Sequence, residues 1–148
     1  MADVAEFIRK HFSDEDLEEI RAAICTAERK STGEIKVVVE ERSQGEPLED
    51  AKRIFLKHGL QNTRERNAVL LALFAEDRRF AILGDEGIDR VVGSGFWDHT
   101  ATLMAELLRA GKFKEGLLAG IASVGDKLVE FFPPSQQDVN ELPDDVCS

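Results

Sequence analysis

Two apolar segments joined by a short charged turn constrain the fold of this chain more than any other feature. The first, residues 68–75, contains no polar side chain, so a strand there must be covered on both faces. The second, residues 78–83, follows after only Glu76 and Asp77. Because so short a connection reverses the chain, we predict that the two strands are antiparallel neighbours.

The segments before this hairpin predict a crossover connection. Residues 34–41 contain three consecutive valines, as in an interior strand, and residues 48–58 have apolar side chains at helical spacing. A strand, a helix and a second strand in this order form a right-handed unit whose strands are parallel. The sheet should therefore be mixed.

Apolar periodicity predicts helices in the rest of the chain. Ser13 and Asp16 resemble a capping box that opens a helix ending near residue 30. Further helices are predicted at residues 4–11, 96–110 and 114–132. We expect an α/β fold, with residues 1–134 as a single domain and residues 135–148 as a disordered acidic tail.

Composition excludes several classes of function. The chain has 148 residues and a net charge of −10, so it lacks the basic footprint of a nucleic-acid binder. Anionic membrane surfaces would repel it, and no apolar run approaches the ~20 residues that span a bilayer. The acidic N-terminus has no apolar core of a signal peptide. We therefore expect a cytoplasmic protein without membrane insertion.

Simple topology brings polar residues to one edge of the predicted sheet. Glu34 begins the first strand, Asn67 precedes the second, and Asp85 with Glu86 follows the third. Because the third strand runs back along the second, these positions meet at the same end. Carboxylates, amides and the carbonyls of a glycine-rich corner are the oxygen ligands that calcium takes.

This convergence predicts a calcium site. Asp89 and Asp98 could add ligands if the chain turns back towards the edge. The predicted ligands are Glu34, Asn67, Asp85, Glu86 and Asp98. An alternative interpretation remains open, in which Glu34 and Asp85 cap helix N-termini or pair with Arg66 or Arg90.

Six short motifs spread over most of the chain form a specific combination. They are residues 31–35 (STGEI), 67–71 (NAVLL), 77–82 (DRRFAI), 84–88 (GDEGI), 96–97 (FW) and 111–117 (GKFKEGL). From about residue 20 to residue 133, the chain resembles the TPM domain family. That family is named after a thylakoid lumen protein, a photosystem II repair protein and a nematode receptor modulator.

The resemblance implies a fold and a range of functions. The family fold is an α/β/α sandwich around a small mixed β-sheet. Its members have been linked to divalent cations, chiefly calcium, and a plant member to weak acid phosphatase activity. Others resemble accessory or repair factors of membrane complexes. From the resemblance we expect a stand-alone bacterial form, without the signal peptide and membrane anchor that longer relatives often carry.

Two departures from the family pattern fall at the predicted sheet edge. Ala68 follows Asn67 where the family has glycine, which restricts the backbone at that point. A corner of the Gly-Tyr-Gly-Leu type is replaced by residues 84–88, which add two acids. These acids would favour a bound cation.

Three functions are compatible with the sequence. The first is a calcium-binding accessory or regulatory domain. The second is a weak metal-assisted acid phosphatase, in which His99 would carry a proton and arginines at positions 64, 66, 78 and 79 would hold phosphate. Each arginine is also explained as a surface charge on an acidic chain. The third is a protein-interaction module without a ligand.

Overall fold

A computed structural model of the chain describes residues 6–93 and 95–134 and confirms an α/β/α sandwich with a small mixed sheet. Within these residues, the elements follow in the order α1 (Glu6–His11), α2 (Asp14–Glu28), β1 (Glu34–Glu40), α3 (Pro47–Lys57), β2 (Ala68–Phe74), β3 (Arg79–Gly84), α4 (Glu86–Val92), α5 (Asp98–Arg109) and α6 (Phe113–Phe131). The predicted tail, residues 135–148, lies outside the described residues. None of the helices described is both long and apolar enough to cross a bilayer.

The sheet has the mixed topology that the sequence predicts. Its strand order is β1-β2-β3, so β2 is the central strand. β1 pairs parallel to β2, with Glu34 opposite Ala68, and β2 pairs antiparallel to β3, with Val69 opposite Gly84. The start of β1, the start of β2 and the end of β3 therefore meet at one end of the sheet, here called the acidic end.

The central strand divides two hydrophobic cores. Every residue of β2 is buried, and alternate side chains point to opposite faces. Val69, Leu71 and Leu73 pack with α2, α5 and α6, whereas Leu70 and Phe74 pack with α3. Full burial of each leucine side chain stabilises the fold by about 1.5–3 kcal/mol. The unbroken apolar run is thus explained by helices on both faces.

The predicted start of α2 is confirmed. The Ser13 hydroxyl accepts the Asp16 amide at 3.0 Å, and the Asp16 carboxylate accepts the Ser13 amide at 3.0 Å. This hydrogen bond from the Ser13 backbone lowers the pKa of Asp16. The reciprocal pair satisfies two amides that a helix start otherwise leaves without partners.

Three local predictions differ from the structure. The hairpin turn spans residues 75–78 rather than two residues, with Asp77 donating its amide to the Phe74 carbonyl and Arg78 at a φ of 53°. A helix, α4, follows the corner because Asp85 caps it. α5 begins at Asp98, two residues later than predicted, since Trp97 occupies the N-cap position.

Candidate functional site

Asp85 is the most constrained acid at the acidic end. Its residue is only 6% exposed, and it stands at the N-cap of α4, where its Oδ1 accepts the Glu86 amide at 2.8 Å. Arg66 donates to both carboxylate oxygens, from Nε to Oδ2 at 2.7 Å and from Nη2 to Oδ1 at 2.9 Å. These hydrogen bonds raise the pKa of the Arg66 guanidinium. A cation would have to compete with three N–H donors for Asp85.

The backbone around Arg66 is held by the same corner. Arg66 has a φ of 52°, which side-chain-bearing residues rarely adopt, and its carbonyl accepts the Gly87 amide at 2.8 Å. A Cβ on Gly87 would overlap the Glu65 carbonyl oxygen. Glycine at position 87 therefore lets the loop before β2 lie against α4, and this places the Arg66 guanidinium over Asp85.

Glu86 lies on the solvent side of the same arginine. Its carboxylate is 3.2 Å from Nη1 of Arg66 and 3.8 Å from Nη2 of Arg90, and its side chain is 45% exposed. The N-cap position of Asp85 and its pairing with Arg66 agree with the alternative interpretation of that acid. Glu86, which that interpretation did not include, also pairs with arginines. We call residues 84–88 together with Arg66 the Asp85 corner.

Asn67 is buried beside the start of β1. Its Nδ2 donates to the Thr32 hydroxyl at 3.0 Å, and its residue is 2% exposed. A Cβ on Gly33 would lie 3.1 Å from the Asn67 carbonyl oxygen and 2.9 Å from a methyl group of Leu128. Ser31 accepts the Gly33 amide at 3.0 Å. The motif of residues 31–35 therefore packs β1 closely against β2 and α6.

Glu34 differs from Asp85 because no described residue pairs with its carboxylate. Its side chain is exposed, and it makes neither a hydrogen bond nor an ion pair within residues 6–93 and 95–134. Its electrostatic neighbour is Glu28, a residue that the sequence analysis missed. We call these two residues the Glu28–Glu34 pair.

The environment of Glu28 disfavours the charged form of its carboxyl group. It is half-buried, and its Oε2 accepts the Ile35 amide at 2.8 Å. Burial raises the pKa of Glu28, the negative charge of Glu34 raises it further, and the Ile35 hydrogen bond and Lys36 act in the opposite direction. One sequence signal could have identified it. An acid as the last residue of a helix opposes the helix dipole, so it is placed there for another reason.

Asp98 lies at the same end of the molecule on a separate element. It is the first residue of α5, its side chain is exposed, and no described residue forms an ion pair with it. Phe96, two residues before it, packs edge-to-face against Phe131 at the end of α6, with ring centroids 5.7 Å apart. The Phe132 carbonyl in turn accepts the Thr32 amide at 2.9 Å.

The five predicted ligands do not form one preassembled cluster. Among the residues that the structure describes, no group of three or more His, Cys, Asp or Glu side chains is placed to hold a metal ion. Two buried oxygens in the loop between α3 and β2, Gln61 Oε1 and Thr63 Oγ1, have no hydrogen-bond partner among the described residues. The acidic end therefore combines a neutralised corner and a carboxylate pair.

Comparison with known proteins decides the family. A profile of the TPM domain matches residues 9–127. The chain belongs to the TPM domain family. The protein BA42 from the psychrophilic bacterium Bizionia argentinensis has a similar solved structure, with 35% identity, 97% of each chain covered and a TM-score of 0.81. No curated protein matched the chain in sequence.

Two further solved structures resemble this TPM domain. The N-terminal domain of a protein from P. gingivalis has 25% identity, covers 82% of this chain and 79% of its own, and has a TM-score of 0.68. The N-terminal domain of the cg2496 protein from Corynebacterium glutamicum has 21% identity, covers 91% of this chain and 90% of its own, and has a TM-score of 0.66. The second likeness concerns the fold alone.

The residues of the phosphatase hypothesis lie in different parts of this TPM domain. His99 is exposed in the first turn of α5, and Arg66 binds Asp85 at the acidic end. Arg78 and Arg79 lie at the hairpin turn, at the opposite end of the sheet. Because Arg66 lies at one end of the sheet and Arg78 and Arg79 lie at the other, the four predicted arginines do not surround one phosphate site.

Proposed function

We propose that this TPM domain is a calcium-binding accessory domain whose cation is bound at the acidic end of the sheet. The observation that carries the proposal is the Glu28–Glu34 pair. Two carboxylates close enough to repel each other, one of them half-buried with a raised pKa, are stabilised by a bound cation. Calcium would neutralise the pair and lower the pKa of Glu28.

The availability of oxygen atoms supports this position for the cation. Glu34 has no competing cationic partner among the described residues, whereas Asp85 is held by two hydrogen bonds from Arg66. Glu28 uses Oε2 for the Ile35 amide, which leaves Oε1 for a ligand. In this proposal Glu34 and Glu28 bind the cation first. Asn67, Glu86 and Asp98 remain candidate ligands, and Asp85 acts mainly by holding the corner.

Thermal unfolding with EDTA, calcium or magnesium tests the proposal. A cation present at 100 times its dissociation constant should add about 2.7 kcal/mol to the free energy of unfolding. For a domain of this size the melting temperature should rise by about 5–10 °C. We expect Glu34→Gln to remove the calcium-dependent rise while leaving the melting temperature in EDTA nearly unchanged.

Glu106→Gln provides the matched control. Glu106 is an exposed glutamate on α5 without an ion pair among the described residues, so its replacement makes the same charge change elsewhere. The control should retain the full calcium effect. A calcium-dependent rise that survives in Glu34→Gln, or no rise in the wild-type protein, would refute the proposal.

A further inference from the structure

Three arginines surround a small pocket at the end of the sheet opposite to the acidic end. The pocket has a volume of about 260 Å³ and is lined by Pro47, Arg78, Arg79, Phe80, Ala105 and Arg109. Arg78 and Arg79 come from the hairpin turn and the start of β3, Arg109 ends α5, and Pro47 begins α3. The pocket thus joins three elements that are distant in sequence.

The charges of these arginines are not balanced by nearby carboxylates. Within the two described ranges of the chain, none of the three forms an ion pair with an acid. Five other arginines of the described chain do pair with an acid, namely Arg9, Arg21, Arg53, Arg66 and Arg90. In a chain of net charge −10, three adjacent guanidinium groups without a carboxylate partner are a local reversal of the overall charge.

Acids near this pocket are directed elsewhere or lie outside its lining. Asp77 accepts the Ser43 amide at 2.8 Å, and Glu76 pairs with Lys10 and His11. Glu46 and Glu106 are adjacent in sequence to lining residues but do not line the pocket. The positive end of α3, which begins at Pro47, adds a partial positive charge at the same place.

Two of the three arginines are held in place by backbone carbonyls. Nη1 of Arg78 donates to the Arg109 carbonyl at 3.0 Å, and Nη1 of Arg79 donates to the Gly45 carbonyl at 3.1 Å. Each guanidinium has five N–H donors, and most of them have no partner among the described residues, so they are available to a ligand. Anchored guanidinium groups lose less conformational entropy when they bind an anion.

We propose that this pocket binds a tetrahedral oxyanion of the phosphate or sulfate type, carried by a soluble small molecule. One guanidinium group can donate to two oxygens of such an anion at once. Three guanidinium groups can therefore bind more oxygens than the two that a planar carboxylate has. The volume is slightly below the usual range of ligand pockets, which suits a compact anionic group. The net charge of −10 opposes approach to an anionic membrane, so the ligand is a soluble one. This is a binding site, and it does not depend on the proposed calcium site.

Titration with inorganic phosphate in EDTA at constant ionic strength, followed by amide and arginine NMR signals, tests the proposal. We expect saturable shifts at residues 45, 78–80 and 105–111. Arg109→Ala should weaken binding about tenfold, because one charge-assisted hydrogen bond is lost. Arg109 is preferred because its side chain is exposed and forms no hydrogen bond within the described residues. Arg79→Ala should weaken binding similarly.

Arg64→Ala is the matched control, since Arg64 is also exposed and without an ion pair among the described residues, but does not line the pocket. It should leave phosphate binding unchanged. Shifts that do not saturate, or an equal loss in Arg64→Ala, would overturn the proposal by showing only general screening. Sedimentation with vesicles containing phosphatidic acid separates the two sources of phosphate. We expect no co-sedimentation, and vesicle binding that requires Arg109 would overturn assignment to a soluble ligand.

Discussion

The Asp85 corner and the Glu28–Glu34 pair lie at the same end of the sheet but differ in how their negative charges are compensated. Asp85 is almost completely buried, yet an arginine and a backbone amide satisfy its carboxylate. Glu34 is exposed and has no partner among the described residues, while its charge adds to the cost of ionising Glu28. The burial of an acid therefore does not show whether its carboxylate is available to a ligand. Its hydrogen bonds and ion pairs do.

The comparison also separates stability from binding. Removing a satisfied, buried carboxylate should damage the fold, because it leaves amides and a guanidinium without their acceptor. Removing an exposed carboxylate without partners should leave the fold intact and alter only what binds there. The predictions below test this separation, beginning with the change that should have the largest effect.

Gly87→Ala should disrupt the Asp85 corner most strongly. The new Cβ would overlap the Glu65 carbonyl, so the loop carrying Arg66 would have to move away from Asp85. We expect a loss of about 3 kcal/mol in the free energy of unfolding, measured by urea denaturation. Gly45→Ala is the control, since a Cβ there meets nothing within 4 Å, and it should change stability by less than about 0.5 kcal/mol. Equal effects of the two changes would contradict the close approach at the corner.

Asp85→Ala should destabilise the protein by about 1–2 kcal/mol without any added cation, because α4 loses its N-cap side chain. Glu34→Ala provides the direct comparison and should change the free energy of unfolding by less than about 0.5 kcal/mol. Chemical denaturation in EDTA measures both. If Glu34→Ala were the more damaging change, the division into a structural corner and an available pair would be wrong.

Glu28→Gln should have a smaller effect that depends on pH. The folded protein raises the pKa of Glu28 above its ordinary value, so the folded state holds this proton more tightly than the unfolded chain. The stabilisation by protonated Glu28 is complete below the unfolded pKa and is lost as the pH rises through the folded pKa. Since glutamine stays neutral, the variant should melt higher than the wild type at neutral pH.

Melting curves at a series of pH values from about 4 to about 8 would measure this effect, because the series covers the ordinary pKa of glutamate and the pH values above it. The advantage of Glu28→Gln should disappear towards the acidic end of the series. Glu106→Gln, measured in parallel, should show no such trend. An advantage that grew on acidification would have the wrong sign for a raised pKa.

Local sequence patterns predicted much of the architecture because they arise from short-range rules. The apolar run of β2 predicted a strand covered on both faces, and the capping residues Ser13 and Asp16 predicted the start of α2. The order of strands and helices predicted the mixed sheet and the shared end of its strands. The sequence predicted a two-residue hairpin connection, whereas the turn spans residues 75–78, because it lacks glycine and uses Arg78 at positive φ instead.

The assignments at the acidic end depended on contacts between distant residues. Sequence placed Glu34, Asn67 and Asp85 at one edge, and it offered Arg66 as an alternative partner for Asp85. It did not decide that Arg66 would bind both oxygens of that carboxylate. It also missed Glu28, because the approach of this helix-terminal acid to β1 is a tertiary contact. The calcium site itself remains a prediction.

The sequence by itself determined where the strands and most of the helices form, and that acids and an amide lie at one end of the sheet. Those features follow from side-chain periodicity, capping and chain connectivity, which act over a few residues. Only the tertiary structure decided which carboxylates are neutralised, and that three arginines of an acidic chain meet at the other end. The state of a charge depends on the groups within a few ångströms of it in space, and folding brings those groups from distant parts of the chain.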